Sequence, residues 1–373
     1  MNSPGINLAV CGGGTGGHIF PALAVVAALR KKKVGDKIYY LGRKQSLEET
    51  LANKHDLPFY GLELASWNRR NIFKNFSSIL KAMLGLYLAR KLLKKLKIRA
   101  ILGTGGYVCG PIILAAITLG IPAIIHESNL KPGLTNKLLA LWVKHIAVTY
   151  AETSKYFSAY KNKIIVTGFP LRLNLTQLEH KAGCEYFGLD PAKPVWFIFP
   201  GSLAASKINK VLLQALPVLE EKLPELQLLW MAGKKDLAEV KAASQKSKNF
   251  ISVHEFIHAV PEAYAAADII LARAGASTIA EISISGKPAI LVPYPYATGD
   301  HQTYNARELC KQGVAEIVTD TEVNVEKLLL KLEKMLGDLS SLKVKAKLLK
   351  QAYPKQAAND LADLMFNLVK EKK

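Results

Sequence analysis

Short apolar segments alternate with longer amphipathic segments along the whole chain, and the apolar segments have the length of buried strands. In the first half the predicted strands are 6–11, 37–41, 100–103, 122–126 and 145–149. In the second half they are 195–199, 227–232, 269–272 and 288–292. Because the strands are apolar throughout and alternate with predicted helices, the first over about 17–31, the pattern predicts α/β architecture with parallel sheets covered on both faces.

The alternation pauses once, in a polar stretch between Thr167 and Pro194. At roughly 100–200 residues per domain, the length of the chain also predicts two domains. We expect a first domain over 1–167, a second over 168–345, and a Lys-rich helical segment over 346–373 whose packing partner the pattern leaves open. Ligands of such folds bind at the carboxyl ends of the strands, so the chemistry is expected in a cleft where the two domains face each other.

Two glycine-rich loops each follow a predicted strand and precede a predicted helix. The first, over 12–18, reads GGGTGGH, and the second, over 103–111, reads GTGGYVCGP. Glycine lets the backbone approach a ligand closely, and the helix N-terminus offers free N–H groups to an anion. The pair predicts two phosphate-rich ligands, or one ligand and one acceptor; tight turns that merely need glycine are the other interpretation. A third turn, over 199–206, adds a serine hydroxyl.

A dinucleotide site is the first rival interpretation, because Gly12, Gly14 and Gly17 satisfy the pattern GxGxxG. That site needs an acidic residue about 20 residues further on, at the end of the second strand. Here the strand is followed by Gly42-Arg43-Lys44, which disfavours NAD and leaves an NADP-dependent oxidoreductase as the lesser alternative. A P-loop motif is absent from the sequence.

The chain is basic, with 50 Lys and Arg against 30 Asp and Glu. Such a charge favours a polyanionic partner, which can be nucleic acid, anionic lipid or a phosphorylated substrate. Residues 65–100 carry many basic residues and no acidic one, interleaved with aromatic and aliphatic side chains. This composition suits an anionic membrane surface, whereas no nucleic-acid motif accompanies it. The uncharged run 100–125 is interrupted by glycines and prolines, so peripheral contact is expected rather than a span.

Five motifs in order resemble the MurG family, the N-acetylglucosaminyltransferases of peptidoglycan synthesis. They are GGGTGGHIFPALA at 12–24, GTGGYVCGP at 103–111, HESN at 126–129, RAGASTIAEISISGKPAILVPYP at 273–295 and DHQTYNA at 300–306. The resemblance covers nearly the whole chain. It implies a GT-B fold, that is, two Rossmann-like, doubly wound parallel-sheet domains facing across a cleft. It also implies inversion at the anomeric carbon, with no required metal and no cofactor.

The resemblance further implies the substrates and their places. The donor is UDP-GlcNAc, bound by the second domain, and the acceptor is undecaprenyl-diphospho-N-acetylmuramoyl-pentapeptide, bound by a membrane-docking first domain. The enzyme would work at the cytoplasmic face of the cell membrane as a peripheral protein, in cell wall biogenesis and so in cell shape and division. The donor ligands implied by position are Thr15, Gly16, Gly17, Asn129, Arg172, Ser202, Ile257, Ala276, Ser277, Thr278, Ile279, Ala280, Glu281 and Gln302. Gly105, Gly106 and Tyr107 form the acceptor loop.

Two positions depart from the family pattern. The family has GSQGA where this chain has GSLAA over 201–205, and it has Asn-Pro where this chain has Phe169-Pro170. Ser202 of the GSLAA segment and Arg172 keep the residue types of the family pattern. The first departure changes the loop that the resemblance places against the diphosphate.

An inverting transfer needs a base that takes the proton of the acceptor hydroxyl. His18 is the first candidate because imidazole titrates near neutral pH; a hydrogen bond to the backbone at the helix start is its structural alternative. Glu127 is the competing base, with a salt bridge to a lysine as its alternative. Glu281 lies in an apolar helical segment and needs a partner, which ribose hydroxyls or Arg273 could supply.

Other histidines and the thiols carry weaker predictions. His126, His254 and His258 are expected to be structural, and His301 is a further candidate for the sugar pocket. The four cysteines have neither CxxC nor zinc-ligand spacing, so isolated reduced thiols are expected.

Overall fold

The computed structural model describes residues 6–63, 75–171, 175, 178–201 and 205–371. The chain divides into two compact units, Met1–Leu171 with Pro354–Lys373, and Arg172–Tyr353. The sequence placed the division after residue 167, and the contacts within the structure place it after Leu171.

The described part of the first unit contains a seven-stranded parallel sheet in the order β3-β2-β1-β4-β5-β6-β7. Its strands are β1 Asn7–Cys11, β2 Lys37–Arg43, β3 Phe59–Leu62, β4 Ile98–Gly103, β5 Ala123–Glu127, β6 His145–Val148 and β7 Ile164–Val166. Its helices are α1 Gly16–Lys31, α2 Leu47–Lys54, α3 Asn75–Lys95, α4 Cys109–Thr118 and α5 Leu134–Leu139, followed by a 3-10 helix over Ala151–Lys163.

Helices cover both faces of this sheet, which explains the apolar strands. Leu8 and Val10 of β1 pack in one buried cluster with α1, whereas Ala9 and Cys11 pack in the other with α4. Successive side chains of a strand point to opposite faces, so a strand buried on both faces must be apolar throughout.

The described part of the second unit contains a six-stranded parallel sheet in the order β10-β9-β8-β11-β12-β13. After α6 His180–Phe187, its elements are β8 Val195–Phe199, α7 Ala205–Lys222, β9 Gln227–Met231, α8 Leu237–Ser244, β10 Ile251–His254, α9 Val260–Ala266, β11 Ile269–Ala272, α10 Ala276–Ser285, β12 Ala289–Leu291, α11 His301–Lys311, β13 Ala315–Ile317, α12 Val325–Gly337 and α13 Leu339–Ala352. Both sheets confirm the predicted α/β class with parallel strands.

The C-terminal segment is two helices rather than one. Helix α13 packs on α10 in the second unit, and α14 Ala357–Lys370 packs on α1 and β4 in the first. The helices separate at Tyr353, whose backbone is extended because a residue before proline avoids the helical region. In α14, Leu361, Ala362 and Met365 are fully buried, so the end of the chain completes one face of the first sheet.

Among the described helices, none combines the length and the hydrophobicity needed to cross a bilayer.

Candidate functional site

The first glycine loop joins the carboxyl end of β1, near the middle of its sheet, to α1. Gly14 has a φ of +85°, which glycine adopts without strain, and the exposed Thr15 is the N-cap residue of α1. The Thr15 side chain makes no capping hydrogen bond, so the first N–H groups of the helix are not satisfied in that way. Thr15, Gly16 and Gly17 therefore present backbone donors at the end of the strand.

The second glycine loop leaves β4, the neighbour of β1, and lies directly against the first loop. Gly13 N donates to Gly105 O at 3.3 Å, and Thr104 N donates to Cys11 O at 2.8 Å. A β-carbon on Gly106 would lie 2.2 Å from Gly13 O, a distance that two non-bonded atoms cannot adopt. The glycines thus serve a close backbone approach, and the two loops form one continuous structure that includes the half-buried Tyr107.

His18 is held between the two loops. Its Nδ1 lies 3.2 Å from Gly13 O and 3.4 Å from Thr15 Oγ1. A carbonyl oxygen only accepts, so the bond to Gly13 places the hydrogen of the neutral ring on Nδ1 and leaves Nε2 as the basic nitrogen. The backbone hydrogen bond predicted as the structural alternative is therefore present, and it also gives the ring the tautomer that a base needs.

Glu127, at the carboxyl end of β5, is buried and accepts four hydrogen bonds. Asn129 donates to Oε1 through its backbone N at 2.9 Å and its Nδ2 at 3.2 Å. Gly133 N and Asn136 Nδ2 donate to Oε2 at 3.0 and 2.8 Å. Burial raises the pKa of Glu127, while these hydrogen bonds act in the opposite direction. The bonds account for the burial of the carboxylate and shape the loop that carries Asn129.

His126 precedes Glu127 and ties β5 to the end of the first unit. Its Nε2 donates to Gly168 O at 3.0 Å, and Ser128 Oγ lies 3.3 Å from its Nδ1. Burial lowers the pKa of His126 to about 4, so the ring is neutral at physiological pH. Phe169, which departs from the family pattern, packs edge-on against this ring with centroids 6.2 Å apart.

In the second unit, α10 begins directly after the buried strand β11. Its N-cap residue, Gly275, has extended backbone and no side chain that could cap the helix. Ile279 N donates to Gly275 O at 3.0 Å, which leaves the preceding N–H groups of Ala276, Ser277 and Thr278 at the helix start. Such a helix start binds anions.

Glu281 lies one turn further along α10 and is half-buried. Its Oε2 accepts a hydrogen bond of 2.9 Å from the hydroxyl of Tyr264, which is itself buried. Burial, and then the charge of Glu281, raises the pKa of Tyr264 well above its ordinary value. Arg273, the predicted alternative partner, forms an ion pair with Asp320 at 2.6 Å and donates to Val292 O at 3.1 Å.

Gln302 fastens two loops of the second unit. Its Oε1 accepts from Ala274 N at 3.1 Å and from Tyr294 N at 2.9 Å, which leaves its amide hydrogens as the groups it can offer a sugar. Ile257 is 4% exposed and lies between β10 and α9. His301 Nδ1 lies 2.8 Å from Thr298 O, inside the turn that begins α11.

The described site residues form two groups, one in each unit. Arg172 and Ser202 lie outside the described residues. The structure also adds residues that the sequence did not single out as candidates, namely Thr104, Asn136 and Tyr264, each of which holds a predicted site residue. The three contacts join positions 86, 9 and 17 residues apart, and none of these spacings belongs to a motif that the sequence displays.

All four cysteines are free thiols, as expected, but two of them are not isolated. Cys11 and Cys109 are buried beneath the glycine loops with their Sγ atoms 3.6 Å apart. Cys109 Sγ also donates a hydrogen bond of 3.0 Å to Gly105 O, which further joins the second loop to α4. Sequence spacing could not reveal this pair, because 97 residues separate the two positions and only the β1–β4 pairing brings them together.

Both halves of the chain match one known family. Residues 8–148 match the glycosyltransferase family 28 N-terminal domain, and residues 195–363 match its C-terminal domain. Proteins from Bacillus licheniformis and Halothermothrix orenii, both named UDP-N-acetylglucosamine–N-acetylmuramyl-(pentapeptide) pyrophosphoryl-undecaprenol N-acetylglucosamine transferase, are 35% and 37% identical. The alignments cover 99% of both chains in the first case, and 98% of this chain and 100% of the relative in the second.

A solved structure of MurG from Acinetobacter baumannii superposes with a TM-score of 0.77 at 30% identity, covering 98% of this chain and 100% of that one. Two parallel-sheet Rossmann-like units and this match establish the GT-B fold. The chain belongs to glycosyltransferase family 28 and, within it, to the MurG family of N-acetylglucosamine transferases.

Proposed function

We propose that this protein transfers GlcNAc from UDP-GlcNAc to undecaprenyl-diphospho-N-acetylmuramoyl-pentapeptide. The observation that carries the proposal is identity of 35–37% with transferases of that name over 98–99% of the chain. The two joined glycine loops support it, because both substrates carry phosphates that backbone N–H groups bind. The earlier NADP alternative has no support in a chain whose two halves both match family 28.

His18 acts as the general base. Its Nε2 takes the proton of the acceptor hydroxyl, whose oxygen then attacks the anomeric carbon of the donor sugar. The bond from that carbon to the diphosphate breaks, and its electron pair leaves with UDP. The Nδ1–Gly13 hydrogen bond supports this role, because it fixes the ring orientation and the tautomer.

The second unit binds the donor. The uncapped start of α10, at Ala276, Ser277 and Thr278, offers N–H groups to the diphosphate and stabilises the charge that develops on it. Glu281 accepts hydrogen bonds from the ribose hydroxyls, and Tyr264 holds its carboxylate in place. Gln302 donates its amide hydrogens to the sugar, while Ile257 lines the nucleotide site.

Glu127 organises the substrate loop rather than competing with His18 for the proton. Each of its oxygens already accepts two hydrogen bonds, and these bonds hold the loop that runs from Asn129 to Asn136. Asn129 is in this way presented to the substrate by a buried carboxylate. Gly105, Gly106 and Tyr107 remain the proposed acceptor loop.

The first unit docks on an anionic membrane through α5 and the turn that follows it. The outward side chains Leu134, Leu138, Leu141 and Trp142 are 63%, 61%, 50% and 54% exposed. Leu134 and Leu138 lie four residues apart on one face of α5, and Leu141 and Trp142 lie in the turn that follows. Exposed positions of this kind more often carry polar residues. The sequence from Ser128 to Lys163, with both ends included, contains six lysines against one acidic residue, which suits an anionic bilayer.

Part of the basic stretch first predicted to dock, residues 65–100, lies outside the described residues. Its described part contributes Met83, Leu84 and Tyr87 of α3, which are exposed. Docking at the cytoplasmic face as a peripheral protein would bring the enzyme to its lipid-linked acceptor.

An acceptor panel tests the function. The protein is incubated with UDP-GlcNAc and either the lipid-linked muramoyl-pentapeptide or a diacylglycerol, and UDP release is followed. We expect release only with the muramoyl-pentapeptide. Release with the diacylglycerol alone would assign the chain to a related transferase with another lipid acceptor.

A further inference from the structure

The helical turn that carries His18 is weak by its own sequence. Gly16 and Gly17 open α1, and glycine costs about 1 kcal/mol relative to alanine inside a helix. Thr15 adds no side-chain cap, and Pro21 lacks the N–H that would bond to the carbonyl of Gly17. A catalytic residue on such a turn needs support from another part of the fold.

Thr104, at the start of the second glycine loop, supplies such support. Its side chain is fully buried, and its hydroxyl donates to His18 O at 2.6 Å. Cys11 O lies farther from the same hydroxyl, at 3.2 Å, and one hydroxyl hydrogen favours the shorter contact. The bond reaches the backbone of His18 itself, in the turn weakened by glycine and proline.

The neighbouring backbone is shaped around this hydroxyl. A β-carbon on Gly12 would lie 2.1 Å from Thr104 Oγ1 and 2.6 Å from His18 O. Residue 12 must therefore be glycine for the Thr104 hydroxyl to reach the backbone of α1. On the other side, Thr104 N donates to Cys11 O at 2.8 Å, so the residue is fixed from its backbone as well as its side chain.

We propose that Thr104 is a positioning residue for the transfer reaction, acting through His18. It holds the first turn of α1 against the second glycine loop, and so places Nε2 where the acceptor hydroxyl is deprotonated. This inference rests on the proposed role of His18 as the base. Because Thr104 directly precedes Gly105, its hydrogen bond to His18 also links the proposed acceptor loop to the proposed base.

The test compares Thr104→Val, which is nearly isosteric but has no hydroxyl, with Thr104→Ser, which keeps the hydroxyl. We expect Thr104→Val to lower kcat by about 10- to 100-fold, because a displacement near 1 Å at the reacting centre can cost that much. KM for UDP-GlcNAc should change much less than kcat, since the donor contacts proposed for the second unit stay in place. Thr104→Ser should restore most of the rate, and Thr104→Ala is the second hydroxyl-free variant should valine disturb folding.

Thr118→Val is the control, because the hydroxyl of this exposed residue also donates to a backbone carbonyl, Ala115 O at 2.9 Å, but on α4. A double-mutant cycle then separates the two proposals. In a His18→Ala background, Thr104→Val should cost nothing further. If Thr104→Val costs the same in both backgrounds, the proposed role of Thr104 is overturned and the role of His18 stands. A near-normal rate for both Thr104→Val and Thr104→Ala would have the same meaning. His18→Ala within about tenfold of the normal rate would instead overturn the base, and this inference with it.

Discussion

The α-carbon of Gly105 lies so close to the imidazole of His18 that a β-carbon on residue 105 would fall 2.7 Å from Cδ2 and 3.1 Å from Nε2. Glycine at this position is thus a condition for the observed ring orientation. We expect Gly105→Ala to lower the rate of transfer by about 100-fold, because the ring must move to make room. Steady-state kinetics with the lipid-linked acceptor measures this loss.

Gly120→Ala is the control for backbone strain. Like Gly105, Gly120 has a positive φ, which is +66°. Unlike at Gly105, nothing lies within 4 Å of an added β-carbon. This variant should lose about 1–2 kcal/mol of stability from the left-handed conformation and keep its activity. If both variants lose stability and activity to the same extent, strain rather than contact with His18 explains the effect.

Glu281 is predicted to determine donor affinity. Glu281→Ala should weaken UDP-GlcNAc binding by at least tenfold, because charge-assisted hydrogen bonds to the ribose are lost. Tyr264→Phe, which only frees the carboxylate from its 2.9 Å partner, should have a smaller effect. Isothermal titration with UDP measures both, and Glu239→Ala on exposed α8 controls for the loss of one negative charge. Unchanged affinity in Glu281→Ala would refute the ribose contact.

The buried imidazole of His126 should make the stability of the fold depend on pH. Its pKa falls from 6.5 in the unfolded chain to about 4 in the folded protein, because burial disfavours the charged ring. The unfolded state therefore binds the proton first as the pH falls, and stability present above pH 6.5 is lost between 6.5 and 4. Between pH 7.5 and 5 this amounts to about 2 kcal/mol.

Urea unfolding at the two pH values measures this loss in the normal protein and in His126→Gln. Burial also lowers the pKa values of His145 and His254, so the difference between the two proteins isolates the contribution of His126. The variant should lose about 2 kcal/mol less on acidification. Identical losses would show that His126 is accessible to protons in the folded state.

The outward face of α5 should decide membrane binding. Leu138→Glu on α5 combined with Trp142→Glu in the turn after it should reduce co-sedimentation with phosphatidylglycerol vesicles severalfold, because apolar area is lost and the two added negative charges are repelled by the anionic lipid. Val344→Glu combined with Leu348→Glu is the matched control, since these residues are 62% and 59% exposed on α13 of the other unit. Binding to phosphatidylcholine vesicles should be weak throughout. Equal losses for the α5 variant and the control would exclude this face as the docking surface.

The strands that the hydrophobic pattern predicted are the interior ones. The four strands it missed, β3, β7, β10 and β13, are the edges of the two sheets. Each is short and only partly buried, because an edge strand pairs on one side and meets water on the other, so it carries no continuous apolar run. Burial on both faces, by contrast, leaves a clear apolar signature in β1 or β8.

In the candidate site, too, some residues are recognisable from the sequence and others are not. Glycines mark the loops in the sequence because a close approach or a positive φ demands that one residue type, as at Gly105 and Gly106. The partners that hold the site residues have no such mark. Thr104 and His18 are 86 positions apart, and Tyr264 and Glu281 are 17 apart. Their hydrogen bonds are therefore seen only in the folded structure.

The most direct measurement is the transfer of radiolabelled GlcNAc from UDP-GlcNAc to the lipid-linked muramoyl-pentapeptide, by the normal protein and by His18→Ala. We predict that the normal protein moves the label to the lipid product, and that His18→Ala does so at least 100-fold more slowly while still binding UDP. No label on this acceptor from folded, UDP-binding protein would contradict the proposed function. Equal rates for the two proteins would contradict the assignment of His18 as the base.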